Sequence, residues 1–178
     1  MKQFLKVLLG IAILCGVAFL IYSFVPEYPH NFMKSFIQPV IDTEAKLRIQ
    51  QVKNIPAPDI EGVNYEQALA KNSGMNCWVY EKEYAEGADK KVDKPISTKV
   101  VFRGNGASIN IKDFTEYGGK LYTSAYVKIE FIINGTDVTI IPYIDNQKMY
   151  IDDKKHKDAN KAIRDSIIQQ MYGGLQEE

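Results

Sequence analysis

His30, His156, Cys77 and two acid pairs, Asp113 with Glu116 and Asp152 with Asp153, are the residues whose types could do chemistry. A histidine can act as a base or a metal ligand, a cysteine as a nucleophile, and a carboxylate pair as acid and base in hydrolysis. Their settings speak against each role. Neither histidine has a second histidine or a cysteine at metal-ligand spacing. His156 lies in a charged run, 152–158, that reads as a solvated helix start. Cys77 falls inside an expected strand beside Val79, facing the core, whereas a reactive thiolate wants an electropositive site or a helix N-terminus. The acid pairs stand in turns, where such residues serve local hydrogen bonding. There is no phosphate loop, nucleophile elbow, dinucleotide fingerprint or calcium loop. Asn134-Gly135-Thr136 matches a glycosylation sequon, but its place at a hairpin explains it. The reading is non-catalytic, with no catalytic residue, cofactor or metal site expected.

Aromatic residues offer a different chemistry, that of recognition. Trp78, Tyr80 and Tyr84 share one face of their strand, and Tyr122 and Tyr126 share the polar face of another. Brought together, these five would form a partner-binding patch, because aromatic side chains give large contact area at low entropic cost. The competing expectation is that this face packs under the juxtamembrane helix.

The elements that must position them follow from periodicity. Phe32, Met33, Phe36, Ile37, Val40 and Ile41 recur at helical spacing, which predicts an amphipathic helix from Asn31 to about Asn54. Pro39 should kink or divide it, with Asp42 or Thr43 capping a second piece that carries Ala45, Ile49 and Val52. Its apolar stripe is expected on the chain's own domain, except in the first turn or two. A stripe lying on a membrane or against a partner helix is the alternative. Pro56 and Pro58 mark a linker. Asn64 and Gln67 begin a short helix in a capping-box pattern, and Gly74 should end it in the left-handed conformation.

From Met75 the period becomes two. Strands are predicted around 76–84 and 96–102. Gly104-Asn105-Gly106 reads as a tight turn into a strand with Ala107, Ile109 and Ile111. Residues 121–133 place Leu121, Thr123, Ala125, Val127, Ile129, Phe131 and Ile133 on one face. Asn134-Gly135 is a type I′ hairpin signal, and Asp145-Asn146 turns once more toward Met149-Tyr150-Ile151. A helix over 158–172 turns Ala159, Ala162, Ile163, Ser166, Ile167 and Met171 to one side, and Gly173-Gly174 ends it. The fold class is α+β: an N-terminal transmembrane helix, then a helix, an antiparallel meander of five or six strands, and a C-terminal helix. A helix followed by a curved antiparallel sheet is similar in architecture to cystatin-like and NTF2-like folds, a likeness that carries no function.

The transmembrane expectation rests on Val7–Val25, 19 residues that are apolar or small apart from Tyr22 and Ser23. At about 1.5 Å per residue such a helix just spans a hydrocarbon core of about 30 Å. Lys2 and Lys6 precede it, and Lys34 is the one basic side chain in the next 15 residues. The positive-inside rule then puts the N-terminus in the cytoplasm and the domain outside it. A cleaved signal peptide, lipidation at Cys15 and a buried globular helix are the competing readings. Cleavage after Ala18 would leave Phe19 at the new terminus, Leu14 is a poor residue before a lipidated cysteine, and a buried helix would not be apolar all round.

Lys+Arg and Asp+Glu both number 22. The chain beyond Val25 therefore keeps 20 cations against 22 acids, which disfavours nucleic acid as a partner. Two cysteines, one of them in the apolar run, exclude a disulfide framework. The expected organisation is an anchor over 1–25, a juxtamembrane helical stalk and linker over 26–58, and an extracytoplasmic domain over 59–178. The expected setting is the bacterial inner membrane, single-pass, with the domain in the periplasm or outside. Expected partners are the bilayer, through residues 4–25, a protein, and a further copy of the chain. The functional expectation is a binding or assembly module of the envelope. A small-molecule or lipid-binding domain comes next, then a hydrolase built from residues distant in sequence.

Overall fold

The computed structural model describes residues 28–174, with side chains from Asn31 onward. The segment expected to cross the membrane, 1–25, lies outside the described residues. Among the described residues no helix is long and apolar enough to do so.

Helix α1 spans Tyr28–Ile41 and helix α2 spans Thr43–Lys53. The division falls at Asp42, whose side chain accepts a hydrogen bond from the Ala45 N–H at 3.0 Å and caps α2. Pro39 stays inside α1, three residues before the break. Ala45, Ile49 and Val52 are buried as the spacing predicts, so α2 shares the core of the sheet. After a loop, α3 (Tyr65–Ala70) opens with both bonds of the capping box: the Gln67 N–H donates to Asn64, and the Asn64 N–H donates to the Gln67 side chain, each at 3.0 Å.

Five antiparallel strands follow in sequential order: β1 (Asn76–Glu83), β2 (Ser97–Asn110), β3 (Leu121–Asn134), β4 (Asp137–Ile144) and the two-residue β5 (Gln147–Lys148). The chain closes with helix α4 (Lys157–Gly173), which buries Ile163, Ile167, Ile168 and Met171. Its inner face is rotated from the expected one. Ala162 is exposed, while Asn160 and Ile168 are buried. Asn160 earns that place by accepting from the Tyr117 hydroxyl at 2.8 Å and from the Ile151 N–H at 2.9 Å, and by donating to the Ile151 carbonyl.

Three local expectations are corrected. Gly104-Asn105-Gly106 makes no turn: β2 runs through it, and Gly106, at φ 84°, is the extra residue of a bulge. Gly104 is there for space, since a Cβ would meet the Ser73 Cβ at 2.8 Å. Gly74 is not left-handed; it packs on the same bulge, its N–H donating to the Asn105 carbonyl at 2.7 Å. Opposite this bulge, Ser124 takes φ 54° and shifts the alternation of β3 by one residue. Leu121 and Thr123 therefore face outward, and Tyr122 enters the core with Ala125, Val127, Ile129 and Phe131.

The hairpin turns also differ. The β3–β4 turn has Gly135 and Thr136 at its centre, because Asn134 pairs with Asp137. Only Gly135, at φ 64°, is positive, the φ pattern of a type II′ turn. The turn with two positive φ values is Asp145-Asn146, at 48° and 65°. Open space surrounds Gly135, so Gly135→Val should cost only backbone strain, about 1–3 kcal/mol. Thermal unfolding checks this, and an unchanged melting temperature would refute the strained turn.

Candidate functional site

The pairing register divides the sheet into two faces. Trp78, Tyr80, Val100, Phe102, Ile129 and Phe131 lie on the first, under the helices, and form the core. Trp78 packs against Phe102 and Phe131, with ring centroids 5.0 and 5.8 Å away, and Tyr65 closes on Phe131 at 5.1 Å. The Tyr80 hydroxyl donates to Glu44 of α2 at 2.9 Å. A hydrogen bond and charge from Lys82 and the bond from Tyr80 outweigh burial and hold the Glu44 carboxyl below its ordinary range.

The five aromatic residues expected as one patch are thus divided. Trp78, Tyr80 and Tyr122 are buried, at 6%, 2% and 4% exposure, and are core residues. Tyr122 donates to the Gln147 side chain at 3.0 Å. Tyr84 and Tyr126 keep partial exposure, and Tyr126 belongs to the opposite face from Trp78. The packing of Trp78 and Tyr80 under helices was the competing expectation. The Tyr122 position followed from the Ser124 bulge, which the sequence does not signal.

The second face carries the polar chemistry. Register brings Glu81 of β1, Lys99 and Arg103 of β2, Lys128 and Glu130 of β3, and Tyr143 of β4 onto it. Arg103 donates from Nη2 to Glu81 at 3.2 Å. Lys99 and Lys128 reach Glu130 at 3.0 and 3.2 Å, and the Tyr143 hydroxyl donates to it at 3.3 Å. Lys128 also stands 3.8 Å from the Tyr143 ring centroid. Burial alone would raise the Glu130 carboxyl, but the hydrogen bonds and charges of Lys99 and Lys128 prevail and hold it low. Burial, then Glu130, pushes the Tyr143 phenol up to about 12. Arg103 is 5% exposed, and its Nε and Nη1 have no hydrogen-bond partner.

This network holds charge in a largely buried setting. Cys77, the cross-strand neighbour of Arg103, is buried, and burial pushes its thiol up to about 11 although Arg103 opposes the shift. Cys77 also lies on this second face rather than with the helix-covered core. His156 is half-buried, its Nδ1 shielded from solvent and 3.9 Å from Asp153. Among the described residues no three His, Cys, Asp or Glu side chains converge as metal ligands would. The sequence reading missed the network because its members come from four strands. The alternation of Lys128 and Glu130 was its one local trace.

The edge of the sheet is closed by α1. The Gln38 side chain donates to the Tyr80 carbonyl at 2.7 Å and accepts from the Tyr80 N–H at 2.9 Å, taking both free backbone groups of that residue on edge strand β1. The polar side of α1 therefore faces the domain. Its apolar side, expected mostly on the domain, points away: Met33, Phe36, Ile37, Val40 and Ile41 are 50–83% exposed. Comparison of the chain with protein-family models, with curated proteins and with solved structures finds no match.

Proposed function

We propose that the chain is a membrane-anchored, extracytoplasmic binding or assembly module of the bacterial envelope, and not an enzyme. One observation carries this reading. The apolar run Val7–Val25, preceded by Lys2 and Lys6, leads through only Pro26 and Glu27 into a helix that is clamped to the sheet edge. A spanning segment joined so closely to a folded domain holds that domain at the membrane surface. The buried, high-pKa thiol of Cys77 favours binding over catalysis. Small-molecule binding has less support. Phe102 and Phe131 are fully buried in ring contact with Trp78, in place of a cavity at that point.

The test uses the full chain in bacterial cells. It should resist extraction from membranes by alkaline carbonate and keep Met1–Val25 in mass spectrometry of the mature protein. The domain should be cut by protease added outside spheroplasts. A carbonate-soluble chain, a mature terminus at Phe19, lipid on Cys15 or a domain protected from outside protease would overturn the uncleaved, outward-facing anchor.

A further inference from the structure

We infer that α1 lies in the interfacial zone of the lipid bilayer with its apolar side in the acyl boundary, so that the domain is held flat on the membrane at a set angle. Met33, Phe36, Ile37, Val40 and Ile41 are 56%, 64%, 50%, 83% and 77% exposed. Their spacing places them on one side of a single helix of 14 residues, about 21 Å long. Apolar side chains gathered on one exposed surface mark an interaction site more often than single ones do.

The helix cannot bury this stripe by turning over. Gln38 holds both backbone groups of Tyr80, Asn31 is 7% exposed, and Ser35 donates to the Phe32 carbonyl. The polar side is already engaged with the domain and with its own backbone. Whatever covers the stripe is therefore outside the described fold.

Chain connection selects the bilayer as that cover, and here the inference rests on the anchor reading. From Val25 to Tyr28 an extended chain reaches at most about 11 Å. Every anchored copy thus keeps the start of α1 at the lipid surface, an effective concentration that a second copy or a soluble partner does not have. Charge agrees. From Tyr28 to Ile41 there is one lysine, Lys34, and no carboxylate. One acid, Glu27, precedes the helix, and those that follow it, Asp42 and Glu44, are turned to the α2 cap and to Lys82 and Tyr80. A helix with an apolar side, a basic residue and no acid suits the headgroup boundary of an anionic membrane.

The experiment is spin-label depth measurement on the full chain in vesicles of phosphatidylcholine and phosphatidylglycerol. A Cys15→Ser background removes one thiol, and Cys77 is buried at 2% exposure. Labels go on Phe36→Cys and Val40→Cys, and on Lys90→Cys in the exposed loop as an aqueous control. Accessibility to oxygen relative to a water-soluble nickel chelate should be severalfold higher at 36 and 40 than at 90. Equal, water-like ratios at all three sites would overturn the inference. So would strong dipolar broadening between labels at 40 in lipid-diluted samples, which would assign the stripe to a second copy. Carbonate extraction of the same samples reports on the anchor alone. A retained anchor with water-like labels sinks the interfacial helix and spares the anchor, and a released chain with lipid-like labels does the reverse.

Discussion

Replacing Trp78 by alanine is expected to destabilise the domain by about 3–5 kcal/mol. The indole is 6% exposed and fills the space between Phe102 and Phe131, with the Lys53 ammonium 5.6 Å from its ring centroid. Its removal leaves a cavity beside two fully buried phenylalanines, Phe102 and Phe131. Tyr80→Ala and Tyr122→Ala should follow in the same direction, each losing a hydroxyl contact as well as a ring. Tyr126→Ala should move stability by less than about 1 kcal/mol, since its side chain is only partly buried. Urea unfolding of the full chain in detergent, followed by circular dichroism, ranks the four. A Trp78→Ala protein as stable as the Tyr126→Ala protein would refute the assignment of Trp78 to the core.

Glu81→Ala and Arg103→Met should have opposite characters although they remove the two ends of one ion pair. Arg103 is almost wholly buried, and Glu81 is the one acceptor its guanidinium reaches in the described structure, at 3.2 Å. Without Glu81 a buried cation stays behind with every nitrogen unpaired, which costs about 3 kcal/mol. This is the low end for breaking a buried pair, because Glu81 is itself 27% exposed. Arg103→Met removes the charge and its two unpartnered nitrogens together and keeps an apolar side chain beside Cys77. It should be neutral or stabilising by about 1 kcal/mol. The double variant should recover most of the loss caused by Glu81→Ala, a coupling that a double-mutant cycle reads directly. Losses that simply add would show that the two residues act independently.

The helix starts were legible because their interactions are local. Asn64 and Gln67 exchange hydrogen bonds across three residues, and Asp42 caps Ala45 across three, so residue types in a short window suffice. The core stripe of α2 and the C-terminal helix were legible from periodicity. The candidate site was not. The ion network needs Glu81, Lys99, Arg103, Lys128, Glu130 and Tyr143 in register across four strands, and no local spacing brings them together. Its nearest trace was the polar alternation of Lys128 and Glu130.

Two decisions separate what residue order determined from what packing decided. Periodicity determined that 31–41 has an apolar and a polar side and that 121–133 alternates, because these are properties of a helix and a pleat. It did not determine which side faces in. For α1 that was decided by Gln38 meeting Tyr80, 42 positions away in the chain, where unpaired edge groups of β1 needed a polar partner more than the core needed another apolar stripe. For β3 it was decided by the bulge at Ser124, opposite the one at Gly106, which shifts alternation by one residue and sends Tyr122 inward. Both outcomes come from backbone hydrogen bonds that must be satisfied between distant segments. Such a requirement exists only once the segments are brought together.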